Sequence, residues 1–157
     1  MSTATSKSDL WIFVLFVFII FYSTGAGFLE SFVNYPLWKI IGPSEQWTEY
    51  RKALGPKIIP VLAVPSLLVS LILNVILFIK RPVEIPVWTV WACLGFLAVA
   101  FISTVFIQLP IQAKLDEGYD PKLLDRLIVS SFWLREMMSL LRIGVVFYMM
   151  IAVYRIR

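Results

Sequence analysis

Residues 135–150 read REMMSLLRIGVVFYMM, a helix-length apolar stretch with an arginine, Arg142, seven residues inside it. An arginine near the middle of a spanning helix disfavours insertion by roughly 2.5–3.5 kcal/mol, so the fold, the function or both must offset it. The remainder of the chain supplies three more helices of the same kind and a candidate partner for the charge.

The 157 residues are 60% hydrophobic with a mean hydropathy of +0.86, and the apolar residues form long uninterrupted runs. That is the composition of a membrane protein rather than of a soluble core. A helix crosses the roughly 30 Å hydrocarbon core in about 20 residues. Four runs meet that length, at 10–29, 58–79, 87–107 and 135–154. The expected fold is all-α: a multi-pass, four-transmembrane-helix bundle forming one domain over 1–157. The small residues Ser23 to Gly27 give the first run some likeness to a signal peptide, but it is read here as a retained span.

The connections differ in kind. Lys80 to Ile85 is a tight turn containing Pro82. Between the first two spans, PSEQWTEYRKALGP (43–56) predicts a short interfacial helix, with Ser44 as N-cap, Glu45 in the first turn and Gly55-Pro56 as a stop. Trp47 and Tyr50 suit headgroup depth, and the other tryptophans (Trp11, Trp38, Trp88, Trp91 and Trp133) read as interfacial anchors too. Between spans three and four, Gly118 marks a turn and Asp120-Pro121 a helix start outside the bilayer.

With four spans both termini share one side. Lys7, Lys80, Arg81, Arg155 and Arg157 stand there in short flanks against Asp9 and Glu84. The orientation rule counts basic residues in short flanks, so the expectation is a cell (inner) membrane protein with cytoplasmic termini.

Several classes of function are excluded. The 14 Lys and Arg are scattered with no basic tract, so nucleic acid is no partner. With no histidine, a His-ligated haem is ruled out and the commonest metal ligand is missing. The single cysteine, Cys93, reads as a small buried hydrophobe. Neither a metal nor a cofactor is expected.

Counting 1.5 Å per residue places Glu30, Gln108 and Arg135 near one interface and Arg142 about 10 Å deeper, level with Ser23 and Ser66. Ser23, Gly27, Glu30 and Asn34 form one stripe on the first helix. Thr104, Gln108 and Gln112 step along the third, and Ser131, Arg135, Ser139 and Arg142 along the fourth, with Arg126 on its opposite side. Ionisable groups in a bilayer face the bundle interior and pair, so Glu30 is expected as the counter-charge of Arg135 or Arg142. Glu136, turned about 100° from Arg135, is assigned a headgroup or loop contact. Polar stripes also bind helices together without further function, and that reading stands beside the functional one.

Gln108-Leu-Pro-Ile-Gln112, Leu115, Gly118-Tyr-Asp120, Leu127, Trp133-Leu-Arg135 and Arg142 together resemble the small four-helix membrane proteins of the anthrone-oxygenase-like family. In that family a polar-x-Pro-Ile-polar motif ends the third helix, and a Trp-x-Arg with a later Arg marks the fourth. The resemblance implies a four-span fold and, from its fungal members, oxidation of anthrones without an evident metal or flavin.

Two functional readings follow. In the first, a lipophilic phenol or quinone enters from the membrane; Glu30 removes a proton and Arg142 stabilises the oxyanion. Arg135, Asn34, Gln108, Gln112, Ser139 and Ser23 complete the ligand site. In the second, the same pocket belongs to a non-enzymatic lipid-binding protein or an accessory subunit. The partners expected are membrane lipids, a lipophilic small molecule, and a membrane protein partner or a second copy of the chain.

Overall fold

The computed structural model describes residues 5–155; Arg157, counted above with the basic end, lies outside them. Four continuous helices account for nearly all of these: α1 Lys7–Ile41, α2 Trp47–Ile79, α3 Val87–Glu117 and α4 Pro121–Tyr154. Each is long and apolar enough to cross a membrane. Short connections make sequence neighbours antiparallel, giving an up-down bundle in which α1 also packs on α4. The start of α1 meets the α2–α3 turn, where Thr5 Oγ1 donates to Glu84 at 2.6 Å and accepts from the Val83 N–H at 3.2 Å.

At 31 to 35 residues the helices measure about 46–52 Å, well beyond the hydrocarbon thickness. The surplus lies on the face of the two longer links, where it builds a second core. One apolar cluster, around Phe16, Ile20, Leu77, Val90 and Met149, lies towards the termini and takes in the fully buried Cys93. The other joins Tyr35, Trp38, Trp47, Leu115, Leu124 and Leu127. Glu30, Ser31, Arg135 and Glu136 lie between the two, whereas Ser70, Asn74 and Thr89 are buried beside the first cluster.

That second core corrects two expectations. Trp38 and Trp47 are no headgroup anchors: both are buried, and each indole N–H is spent internally, on Tyr50 Oη at 3.1 Å and on the Leu115 carbonyl at 2.7 Å respectively. Trp11, Trp88, Trp91 and Trp133 are exposed, as anchors require. The 47–58 segment is helical, but Gly55-Pro56 does not stop it; Pro56 lies inside a helix that runs on into the second span. A chain that left helical pairing on entering hydrocarbon would strand its backbone polar groups, so continuation costs less than a break. The fourth helix starts where the sequence places it, with Asp120 Oδ1 accepting from Lys122 N at 2.8 Å and Leu123 N at 3.3 Å.

Gly42, just after α1, is buried against the ring of Tyr119 from the α3–α4 turn. A Cβ there would collide with that ring and lie 2.7 Å from the Trp38 carbonyl. Gly42→Ala is therefore expected to cost about 1–3 kcal/mol by overpacking. Gly144→Ala, whose Cβ meets nothing, should leave stability unchanged. Thermal unfolding in mild detergent compares the two, and equal midpoints would contradict the packing described.

Candidate functional site

Each of the four helices contains a stretch of π-helix: Glu30–Asn34, Ile59–Val69, Thr104–Gln108 and Phe132–Glu136. Three are single wide turns, seen in the bonds Tyr35 N–H to Glu30 O, Leu109 N–H to Thr104 O and Met137 N–H to Phe132 O, each spanning five residues instead of four. An extra residue in a turn rotates every later side chain by about 100° relative to an unbroken helix. The turns carry Glu30, Gln108 and Arg135, the polar residues that the sequence places at one depth, and Glu136 beside them.

The rotation changes who pairs with whom. Glu136 turns into the bundle, almost fully buried, and takes Arg135 at 2.9 Å. Ser31 of α1 donates to the same Glu136 oxygen at 2.6 Å and accepts from Arg135 Nη2 at 3.1 Å, so α1 and α4 are tied by three groups. The Arg135 guanidinium also approaches the Tyr35 ring at 5.9 Å. Gly27 permits the approach: a Cβ in its place would stand 2.9 Å from Glu136 Oε2. Glu136 is thus the counter-charge and not a headgroup contact. The expected pairing of Glu30 with Arg135 or Arg142 is not formed.

Glu30 is instead a buried carboxylate with no cation within ion-pair distance among the described residues; Asn34 Nδ2 donates to it at 2.6 Å. It faces a cavity of about 140 Å³ lined by residues of all four helices. Arg142 lies at the inner part of that cavity and is 5% exposed. Among the described residues no carboxylate pairs with it, and its Nε and Nη2 have no protein hydrogen-bond partner. Ser23 and Ser66, whose hydroxyls likewise have no protein partner, line the same space, as does Ser139. Ile20, Leu67 and Leu97 make its walls apolar.

The long π stretch of α2 forms one side. Pro65 has no N–H for the Val61 carbonyl four residues back, and the Tyr22 hydroxyl of α1 donates to that carbonyl at 2.8 Å. No side chain from Ile59 to Val69 is fully buried, because the stretch borders the cavity on one side and the membrane on the other. A second chamber of about 350 Å³ lies towards the longer links and shares Glu30, Ile58, Ile59, Leu109 and Gln112 with the first. Arg51 lines it, its guanidinium 4.3 Å from the Trp38 ring and 2.6 Å from Asp116.

Of the residues singled out from sequence, Glu30, Ser23, Gln112, Arg135, Ser139 and Arg142 line one cavity. Asn34 reaches it through Glu30. Gln108 does not: it is fully buried elsewhere in the bundle, with neither amide atom bonded to protein. Sequence reasoning missed Ser31, Tyr35 and Glu136 because a constant 3.6-residue period turns them away. The Tyr22–Val61 contact had one signal, Pro65, which removes the i+4 donor from the Val61 carbonyl. Among the described residues no group of three or more His, Cys, Asp or Glu is placed to hold a metal. Comparison with protein-family models, curated proteins and solved structures finds no match to this chain.

If Glu136 carries the counter-charge, removing it leaves Arg135 buried and alone, at a cost of about 3–5 kcal/mol. Glu136→Ala should therefore lower the unfolding midpoint in detergent far more than Glu30→Ala. The reverse order would restore Glu30 as the ion-pair partner.

Proposed function

We propose that the inner cavity binds one lipophilic small molecule through an acidic or carbonyl oxygen set against Arg142. The observation carrying this reading is Arg142 itself, a buried guanidinium lining the cavity with two nitrogens unused by protein. A structural arginine in hydrocarbon pairs with a carboxylate or with carbonyls, and Arg135 shows the pattern in this molecule. Size narrows the ligand class: an apolar cavity of about 150 Å³ takes a benzene ring, so the inner chamber suits one ring of a phenol or quinone. A longer ligand extends into the outer chamber past Glu30 and Gln112.

The enzymatic form of the reading assigns Glu30 as the proton acceptor. Without a close cation its oxygens are available to a substrate proton, while Arg142, about 10 Å deeper by residue count, holds developing negative charge on oxygen. Separating the two charges removes the conflict that a tight Glu–Arg pair creates for a base. With dioxygen as oxidant, such a site carries out the cofactor-free phenol oxidation implied by the resemblance to anthrone-oxygenase-like proteins. The second reading, a non-enzymatic lipid-binding protein or accessory subunit, uses the same arginine and asks nothing of Glu30.

Thermal unfolding with a panel of benzoquinones and hydroquinones tests both. The wild-type chain is expected to be stabilised by at least one member at micromolar concentration, and Arg142→Leu to lose that effect. For the enzymatic form, Glu30→Gln should keep the stabilisation and lose oxygen-dependent turnover by about 10²-fold or more, the range of a general base. Stabilisation unchanged in Arg142→Leu rules out the site. Unchanged turnover in Glu30→Gln rules out the base and leaves the binding reading.

A further inference from the structure

Outside the bundle, on the seam between α3 and the start of α4, lies a groove of about 170 Å³ unconnected with the central cavity. Its floor is Phe106, Ile107, Pro110 and Leu123; its outer end carries Lys114 and Arg126. Phe106, Pro110 and Lys114 all line it, so α3 grades from apolar to cationic along the groove. Phe106 is 74% exposed, a value natural for a side chain bathed in acyl chains.

Depth fits the same picture. Twenty residues from the start of α3 at Val87 bring the chain to Phe106, and Lys114 lies eight residues, about 12 Å, further out. On α4 the exposed Trp133 marks the interface, and Arg126 lies seven residues, about 10 Å, beyond it. Both cations thus stand outside the hydrocarbon with long stems that reach back to phosphate level. Charge is segregated as well. Asp116 is taken by Arg51, Asp125 by Lys39, and Asp120 caps α4, while no acidic side chain lines the groove. Among the described residues neither Lys114 nor Arg126 forms an ion pair.

We propose that this groove binds one acidic phospholipid, its phosphate between Lys114 and Arg126 and an acyl chain along Phe106 and Ile107. Two cations side by side over an apolar trough match an anionic headgroup on a hydrocarbon tail. The site is independent of the central cavity and of whatever occupies it.

Native mass spectrometry of the protein released from nanodiscs of equal phosphatidylglycerol and phosphatidylcholine tests this. The wild-type chain should retain one phosphatidylglycerol at least fivefold over phosphatidylcholine. Lys114→Gln/Arg126→Gln should abolish that preference. The charge-matched Lys52→Gln/Lys57→Gln control should keep it, and unfolding midpoints in phosphatidylcholine alone should agree among all three. Equal retention of the two lipids by wild type, unchanged preference in the groove variant, or equal loss in the control would each overturn the proposal. So would displacement of the lipid by millimolar inorganic phosphate, which would make this a free-anion site. Should the double variant not fold, Lys114→Gln alone must still weaken the preference severalfold.

Discussion

Hydrocarbon offers no hydrogen bonds, and the arrangement of this bundle follows from that constraint. Polar side chains that cannot reach water gain by finding each other, and between the two apolar cores Ser31, Glu136 and Arg135 do so. The Ser31–Glu136–Arg135 tie joins the first helix to the last. It requires Gly27 for the approach and the wide turn at 132–136 for the rotation of Glu136 inward. Because this pair is satisfied locally, two other ionisable groups, Glu30 and Arg142, are left to face a cavity instead of each other. One well-made ion pair is therefore the condition for two unpaired charges.

The fold was legible in the sequence and the site only partly so. Four apolar runs of spanning length, the Lys80–Ile85 turn and the Asp120-Pro121 start were sufficient for the bundle and its antiparallel order, since length and hydropathy govern spanning segments directly. Depth was legible for the same reason: rise per residue is nearly constant, and it brought Ser23, Ser66 and Arg142 to one level, where all three line the cavity. Angular phase was not. A single π turn adds a residue without any marker in sequence, and it exchanged the roles of Glu30 and Glu136 as the arginine's partner. Gln108, the middle residue of a stripe drawn at a constant period, ends a wide turn and points away from the cavity. The buried Trp38 and Trp47 were misread for another reason: tryptophan at an interface and tryptophan in a small extramembrane core share the same sequence signature.

Catalysis and binding place different demands on such a layer. A binding site needs Arg142 desolvated and aimed at the ligand; an acid–base site needs in addition a carboxylate that no cation has claimed. Glu30 stands at the boundary of two chambers, with Asn34 donating to one of its oxygens at 2.6 Å. The Arg51–Asp116 pair lies over Trp38 beside the outer chamber, and the 59–69 stretch of α2, none of whose side chains is fully buried, lines the inner one.

The central claim is that Arg142 points into the cavity and is completed by something other than protein. A high-resolution experimental map of the protein extracted in native lipid tests it most directly. The account predicts non-protein density within hydrogen-bonding distance of Arg142 Nε or Nη2, walled by Ser23, Ser66 and Ser139. Arg142 paired with a protein carboxylate, or turned outward over a collapsed cavity, would contradict it.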